Sequence, residues 1–470
     1  MMVHSRRLER RSFSSLYLFL VLAVTMGFFS CELFEPRSPA DNEPPETWIS
    51  NVPRQGDTLF ALVTLHWDGG DNDGFISKYQ YRYTTTFLTS GDSTQTEWKD
   101  TENTSLTIAF NSPEDLNRQT FSVRAMDNEG GVDPTPAQKT FFTGKTYPPT
   151  VEILGPDDGD RRFVLDNVTD WWRGIEINYT GDDQDGEIAE YAWAVDQGAW
   201  TWTHDTSVHI EPDVYTPPVE GEHTIHVMAR DNTNLTSTTP DTITIELVKP
   251  VFDRDILIID ETLEEEFPRG MEVTDAQVDS FYMGIFHTEE TWDYAEMGFP
   301  NLEELGRYKL IIWHADNNYS LVTNAHKLPL HTAEIQDYLR VGGDFVMSGW
   351  RILESFAPGQ PFPRIYPEGS FIHDYLHIIE ANETDYTIPG DFKGATGSSG
   401  FSDVWVDSTK TEDIFPYYGH LSQINLITER GAFTSIIYAY ETGGDHPEHR
   451  GSAIGLRYYG TSFDSVVLGF

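Results

Sequence analysis

Hydrophobic positions along the chain follow three regimes in succession. Leu16–Phe29 (LYLFLVLAVTMGFF) is an uninterrupted apolar run of fourteen residues, preceded by the basic stretch HSRRLERR at 4–11. A membrane-crossing helix needs about 20 apolar residues, so the run is the apolar region of a secretory signal peptide, residues 1–30. From residue 46 to 249 apolar side chains alternate with polar ones, as in Phe121, Val123, Ala125 and again in Ile225, Val227, Ala229. That period of two predicts half-buried strands, and the Gly, Asn, Asp and Pro clusters between them predict a β-sandwich. After Pro250 the apolar runs become short and continuous: 255–260, 309–314 and 344–349. Two helical stretches fall between them or beside them. One is 275–286, with Val278, Phe281, Tyr282 and Ile285 on one face; the other is 333–341, closed by Gly342-Gly343. Strands apolar on both faces and alternating with helices predict a parallel sheet. Further strands are expected at 435–440, 453–458 and 465–470. The fold class is therefore multidomain: two tandem all-β sandwiches followed by an α/β doubly wound parallel-sheet domain.

The alternating region is a repeat. Leu65-His-Trp67, Asp71-Asn-Asp73-Gly74 and Ile76-Ser-Lys-Tyr79-Gln-Tyr81 align with Ile177-Asn-Tyr179, Asp183-Gln-Asp185-Gly186 and Ile188-Ala-Glu-Tyr191-Ala-Trp193 at an offset of 112. Phe121–Asn128 aligns with Ile225–Asn232 at an offset of 104, as do the openings Pro44-Pro45 and Pro148-Pro149. Each unit spans about a hundred residues, 46–146 and 147–249. Trp67, Tyr79, Tyr81, Val123 and Ala125 together resemble the fibronectin type III domain. The second copy carries Tyr179 at the tryptophan position, and Phe121 and Ile225 stand where that family places a corner tyrosine.

Charge and cysteine usage narrow the function classes. The 470 residues include 31 Lys+Arg and 76 Asp+Glu, a net charge of −45 that repels phosphate backbones and excludes a nucleic-acid partner. With a single cysteine, Cys31, neither an intrachain disulfide nor a Cys-rich zinc site can form. Ser30-Cys31 at the end of the signal peptide resembles the lipobox of bacterial lipoproteins, which implies lipidation at Cys31 and a bilayer as partner. Residues 31–45 are acidic and proline-rich, a self-repelling tether. The implied location is the bacterial cell envelope: outer membrane, periplasmic or surface-exposed.

The segment 250–470, with a strand ending at Asp260, the YKLIIWH strand and the EIQDYLRVGGDFVMSG helix–strand unit, resembles the class I glutamine-amidotransferase-like superfamily. In its catalytic members the turn after the third strand presents a cysteine. Here that turn reads Met347-Ser348-Gly349-Trp350, so a cysteine nucleophile is excluded. Ligand contacts are expected from the strand C-terminal edge: Asp260, Glu261, His314, Asp316, Ser348 and Trp350. Ser348 is the substitute nucleophile to weigh, with His373 or His377 as base and Asp374 as orienter. The i, i+4 pair His373/His377 would share a helical face, but it lacks the H-E-x-x-H glutamate of a zinc protease; Asp445–His449 offers only loop ligands. The last strand, 466–470, reads either as a sheet edge or as an interior strand of a domain that continues beyond Phe470, and the second reading is preferred.

Two smaller features complete the inventory. Asp71/Asp73 and Asp183/Asp185 fall at EF-hand-like spacing, but positions one and twelve lack ligands, so the loops read as Asx turns, with a weak calcium site as the alternative. Trp171-Trp172 would form a stacking platform for a glycan or peptide if both rings were exposed. The sequence points to a non-catalytic, lipid-anchored binding or scaffold protein, without cofactor unless calcium, whose partners are a glycan, a peptide or an envelope protein. The alternative is a surface hydrolase whose β modules hold a polymeric substrate.

Overall fold

The computed structural model describes residues 41–263, 274–316, 326–385, 391–407, 409, 421–444 and 447–470. The signal peptide, Cys31 and most of the tether lie outside the described residues, as do Asp445 and His446. The chain is mostly β and divides into two compact units, Met1–Tyr147 and Pro148–Phe470.

In the first unit, strands Glu46–Ile49, Leu62–Gly70 and Ser105–Ala109 form one sheet. Thr58–Leu59, Ala137–Gly144, Leu116–Asp127, Ile76–Phe87 and Ser93–Gln95 form the other, with Lys99–Thr101 pairing onto Ile76–Phe87. Period-two alternation sends Leu65 and Trp67 inward from the first sheet and Phe121, Val123 and Ala125 from the second. The Trp67 and Phe121 rings approach to 5.6 Å, and Phe110 meets Phe141 edge-on at 5.2 Å. The repeated Asp-x-Asp-Gly and Asp-Asn elements meet at one end of this sandwich. Asn128 Oδ1 accepts from the Phe75 amide at 2.9 Å, and a Cβ on Gly74 would lie 2.5 Å from both Asn128 Oδ1 and Asp71 Oδ2. In the second copy a Cβ on Gly186 would meet Asn232 and Asp183 at the same distances. The shared motif is thus a packing device in which the Asp and Asn side chains close over a glycine, and a larger residue there would displace them.

In the second unit, residues 150–248 repeat the sandwich. Thr150–Gly155, Ile175–Asp182 and Ser207–Ile210 make one sheet; Arg161–Phe163, Asp241–Val248, Gly221–Asp231, Ile188–Val195 and Thr201–Thr203 make the other. Trp193 is buried, as its alignment with Tyr81 implied. This sandwich does not close a core of its own. Its buried residues, including Phe163, Val164, Val227 and Leu247, belong to one continuous cluster with Leu257, Trp313, Tyr338 and Phe345 of the C-terminal region. A buried carboxylate pins the junction: Asp337, on the helix Thr332–Arg340, accepts a hydrogen bond from the Phe163 amide at 2.6 Å.

The C-terminal sheet corrects the all-parallel expectation. It has nine strands in the order Thr291–Asp293, Arg254–Asp260, Tyr308–Ala315, Asp344–Gly349, Asp464–Leu468, Ala453–Tyr459, Thr434–Thr442, Phe392–Gly397, Val404–Trp405. The first five run parallel and the last four join them antiparallel, so the sheet is mixed. The reason lies in loop length. Residues 460–463 leave only four positions between Ala453–Tyr459 and Asp464–Leu468, and a parallel crossover needs a dozen or more. Asp464–Leu468 is an interior strand paired on both sides, which overturns its reading as a sheet edge. The helix Asp275–Phe286 covers one face of the parallel half and Thr332–Arg340 the other. Its predicted apolar face is corrected in part. Tyr282 is buried, with Val278, Met283 and Phe286 packed beside it, whereas Phe281 and Ile285 are exposed.

Burial pushes the Asp337 carboxyl up to about 6 from an ordinary 3.8. Between those values the folded chain holds a proton that the unfolded chain has released. Its contribution is therefore most favourable below pH 3.8 and declines as pH rises through 6, by on the order of 3 kcal/mol. Asp337→Asn keeps an acceptor for the Phe163 amide and removes that dependence. Urea unfolding at about pH 4 and about pH 7 is expected to show a smaller stability difference in the variant than in the parent.

Candidate functional site

Parallel pairing aligns the ends of adjacent strands. Asp260 stands opposite His314, His314 opposite Ser348, and Ser348 opposite Leu468. Asp260, His314 and Ser348 are all buried, and all project to the face covered by Asp275–Phe286. Four of the six edge residues named from sequence therefore converge: these three and Asp316.

His314 is the centre of the cluster. Its side chain is 0% exposed, with Nδ1 3.1 Å from Asp316 Oδ2 and 3.3 Å from Thr262 Oγ1. Nε2 faces Asp260 Oδ1 at 3.4 Å and makes no hydrogen bond. The Tyr282 ring stacks flat on the imidazole, centroids 3.9 Å apart, and the Tyr282 hydroxyl donates to Ser348 Oγ at 3.0 Å. Asp260 Oδ1 also accepts from the Thr262 amide at 2.8 Å. Burial pushes the Asp260 carboxyl up to about 7, against the opposing pull of His314. Burial would lower the His314 pKa, but Asp316, Asp260 and Asp279 more than reverse this and hold it above its ordinary value. Among the described residues, Asp260, Asp279 and His314 form a cluster whose ligand-type atoms all lie within 4.8 Å of one another.

In front of this row lies a cavity of about 540 Å³. Tyr282, Ser348 and Asp316 form its polar end, while Ile285, Trp405 and Phe470 are among the apolar side chains around it. Phe281 and Ile285, exposed on the helix, face this space.

The remaining candidates have other positions. Glu261 turns to the opposite face, where it accepts from Trp313 Nε1 at 2.8 Å, from the Leu328 amide at 3.3 Å and from the Lys327 amide. Burial pushes its carboxyl up to about 7, and its task is to hold the 326–328 segment. Trp350 is a tie as well, its Nε1 donating to the Ser422 carbonyl at 3.1 Å. The helical pair is corrected: only Phe371–Asp374 is helical, and His377 sits at φ 56° outside it, stacked on Tyr458. Tyr375, just past His373, takes a hydrogen bond from Ser465, which pairs with Phe345 at the start of the strands. Ser348 lies at the strands' far end, so neither histidine reaches it.

Trp172 is 4% exposed and packs in the core, while Trp171 is 43% exposed, so the two do not form a flat platform. Trp171 borders a separate polar cleft of about 390 Å³ with Arg162, Arg173 and Arg340. In the Asp loops, Asp71 Oδ1 accepts from the Asp73 amide at 3.3 Å and Asp183 Oδ1 from the Asp185 amide at 3.3 Å, the geometry of Asx turns.

Asp279, Thr262 and the role of Tyr282 were not identified from sequence. The available signal was Asp275, Asp279 and Tyr282 at i, i+4 and i+7 on one helix, which places two carboxylates beside the sheet-facing tyrosine.

No family model and no curated protein matches the chain. Among solved structures it is similar to the fibronectin(III)-like modules of Clostridium thermocellum CbhA, at 20% identity over 43% of this chain and 95% of that one, TM-score 0.22. It is also similar to the chicken CNTN1 FN1-FN3 domains, at 14% identity over 44% of this chain and 64% of that one, TM-score 0.20. A two-domain fibronectin type III segment from chicken tenascin is 12% identical over 44% of this chain and 99% of that one, TM-score 0.16. The two-sheet sandwiches stand on their own strand pairing, described above.

Glu261→Ala leaves three donors without their acceptor, two of them buried. It is expected to lower stability by more than about 2 kcal/mol in urea unfolding, with Glu261→Gln milder because one oxygen remains. An unchanged midpoint in Glu261→Ala would contradict the anchoring role.

Proposed function

We propose that this chain is a lipid-anchored envelope protein that binds a small apolar ligand bearing a hydroxyl or amine. The cavity over Ser348 carries this reading. Its walls are mostly apolar, and its polar end offers a serine hydroxyl and the Asp316 carboxylate. An aspartate at the end of an apolar pocket favours a donor or a cation on the ligand. Lipid on Cys31 supplies the anchor, and the first sandwich serves as a spacer or adhesion module. The likeness to class I amidotransferases enters on the same footing, as a related parallel half-sheet with serine in place of cysteine. A non-catalytic role is supported by the surroundings of Ser348: its hydroxyl is engaged by Tyr282, and among the described residues no histidine bonds to it.

A second reading, a surface hydrolase, draws on one observation. Asp260, pushed up to about 7, sits in the same row as Ser348 and would suit proton transfer near neutral pH. Hydrolysis of an ester, amide or glycoside by the parent chain, abolished in Ser348→Ala, would establish it in place of the binding reading.

Two outcomes test the proposal. Cys31→Ser is expected to move the chain from the membrane pellet to the soluble fraction and to stop incorporation of labelled palmitate; retention in the pellet would overturn the anchor. The fluorophore N-phenyl-1-naphthylamine, apolar and bearing a neutral N–H donor, is the first probe of the cavity, with long-chain alcohols and amines as competitors. Ile285→Glu places a charge at an exposed wall and is expected to lower probe affinity at least about tenfold, the cost of burying a charge against an apolar ligand. Equal binding by the variant would place the ligand elsewhere.

A further inference from the structure

We infer that Asp260, Asp279 and His314 bind one divalent transition-metal ion, with Asp316 as the outer partner that orients the imidazole. The inference does not depend on the cavity ligand. His314 is wholly buried, and its Nδ1 is held by Asp316 Oδ2 at 3.1 Å. A proton on Nδ1 satisfies that contact and leaves the Nε2 lone pair free to coordinate. Metal-ligating histidines are held in this way, with the second ring nitrogen donated to a carboxylate. Nε2 makes no hydrogen bond and points at Asp260 Oδ1, 3.4 Å away. Asp279 approaches the same point from the helix Asp275–Phe286, and its Oδ1 is a second buried atom without a hydrogen-bond partner. A buried carboxylate, a half-buried one and an orphaned ring nitrogen bring their lone pairs together, and a cation between them removes that conflict.

The donor set selects the ion. One imidazole nitrogen with two carboxylate oxygens suits zinc, iron(II), cobalt or manganese, whereas calcium and magnesium favour oxygen alone. Asp260 comes from a strand end, His314 from the neighbouring strand and Asp279 from the helix above them. The ion would therefore tie the helix to the sheet at the polar end of the parallel half.

Cobalt(II) is the probe, titrated into the full-length chain in detergent after chelator treatment and dialysis. The expected result is one equivalent per chain, with visible d–d absorption bands that zinc abolishes by displacement. Asp316→Asn should weaken cobalt binding by about 10- to 100-fold, the usual cost of an outer partner. Asp279→Asn should weaken it further, and Ile285→Glu should leave it unchanged. Because His314 is wholly buried, the helix-borne Asp279 is the ligand to vary, and circular dichroism verifies that each variant is folded. No d–d bands in the parent chain, or bands that persist unchanged in folded Asp279→Asn, would overturn the inference.

Discussion

Register between parallel strands is the constraint on which the candidate site depends. A strand's side chains alternate between faces, so a slip of one residue would turn every one of them over. Here the apolar pattern holds register from both sides. Ile258, Ile312 and Val346 pack against Tyr282, while Leu257, Ile259, Ile311, Trp313, Phe345 and Met347 join the larger core opposite. Extending the first set by two residues along each strand gives Asp260, His314 and Ser348. The same packing that fixes the core thus brings three polar side chains into one row, under the helix that carries Asp279.

Electrostatics explains why that row is costly and therefore informative. The chain carries 76 acidic residues, and almost any of them could sit in water. Asp260, Glu261 and Asp337 do not, and burial raises the pKa of each. Glu261 and Asp337 are accounted for by the backbone amides they accept from, at residues 327–328 and 163. Asp260 and Asp279 face a histidine nitrogen that bonds to nothing. In the Asp-rich loops one oxygen of Asp71 and of Asp183 accepts a backbone amide, and among the described residues no histidine nitrogen is buried against them.

Much of the architecture was legible because periodicity and pairing leave marks in sequence. The repeat, the inward Trp67 and Phe121, the helix 275–286 and the strand 344–349 follow directly from apolar spacing. Strand direction did not, since a strand buried on both faces looks the same whichever way its neighbours run; the four-residue link at 460–463 was the usable sign. Convergence of Asp260, His314, Asp316 and Ser348 could be anticipated from a general rule about strand ends. Which way each side chain turns could not: Glu261 is next to Asp260 and faces the opposite side. Asp279 was hidden for a related reason, because its proximity to His314 is created by packing between a helix and a sheet. Trp171 and Trp172 show the limit of adjacency, since neighbours in a chain share neither face nor exposure.

Hydrogen–deuterium exchange on the full-length chain, with and without zinc and the apolar probe, tests the central claim most directly. The account predicts protection concentrated in peptides covering 254–263, 275–286, 308–316 and 344–349, with both sandwiches unchanged. Protection confined to the loops around Asp71 and Asp183 or to the cleft at Trp171, with none at the strand ends, would contradict it.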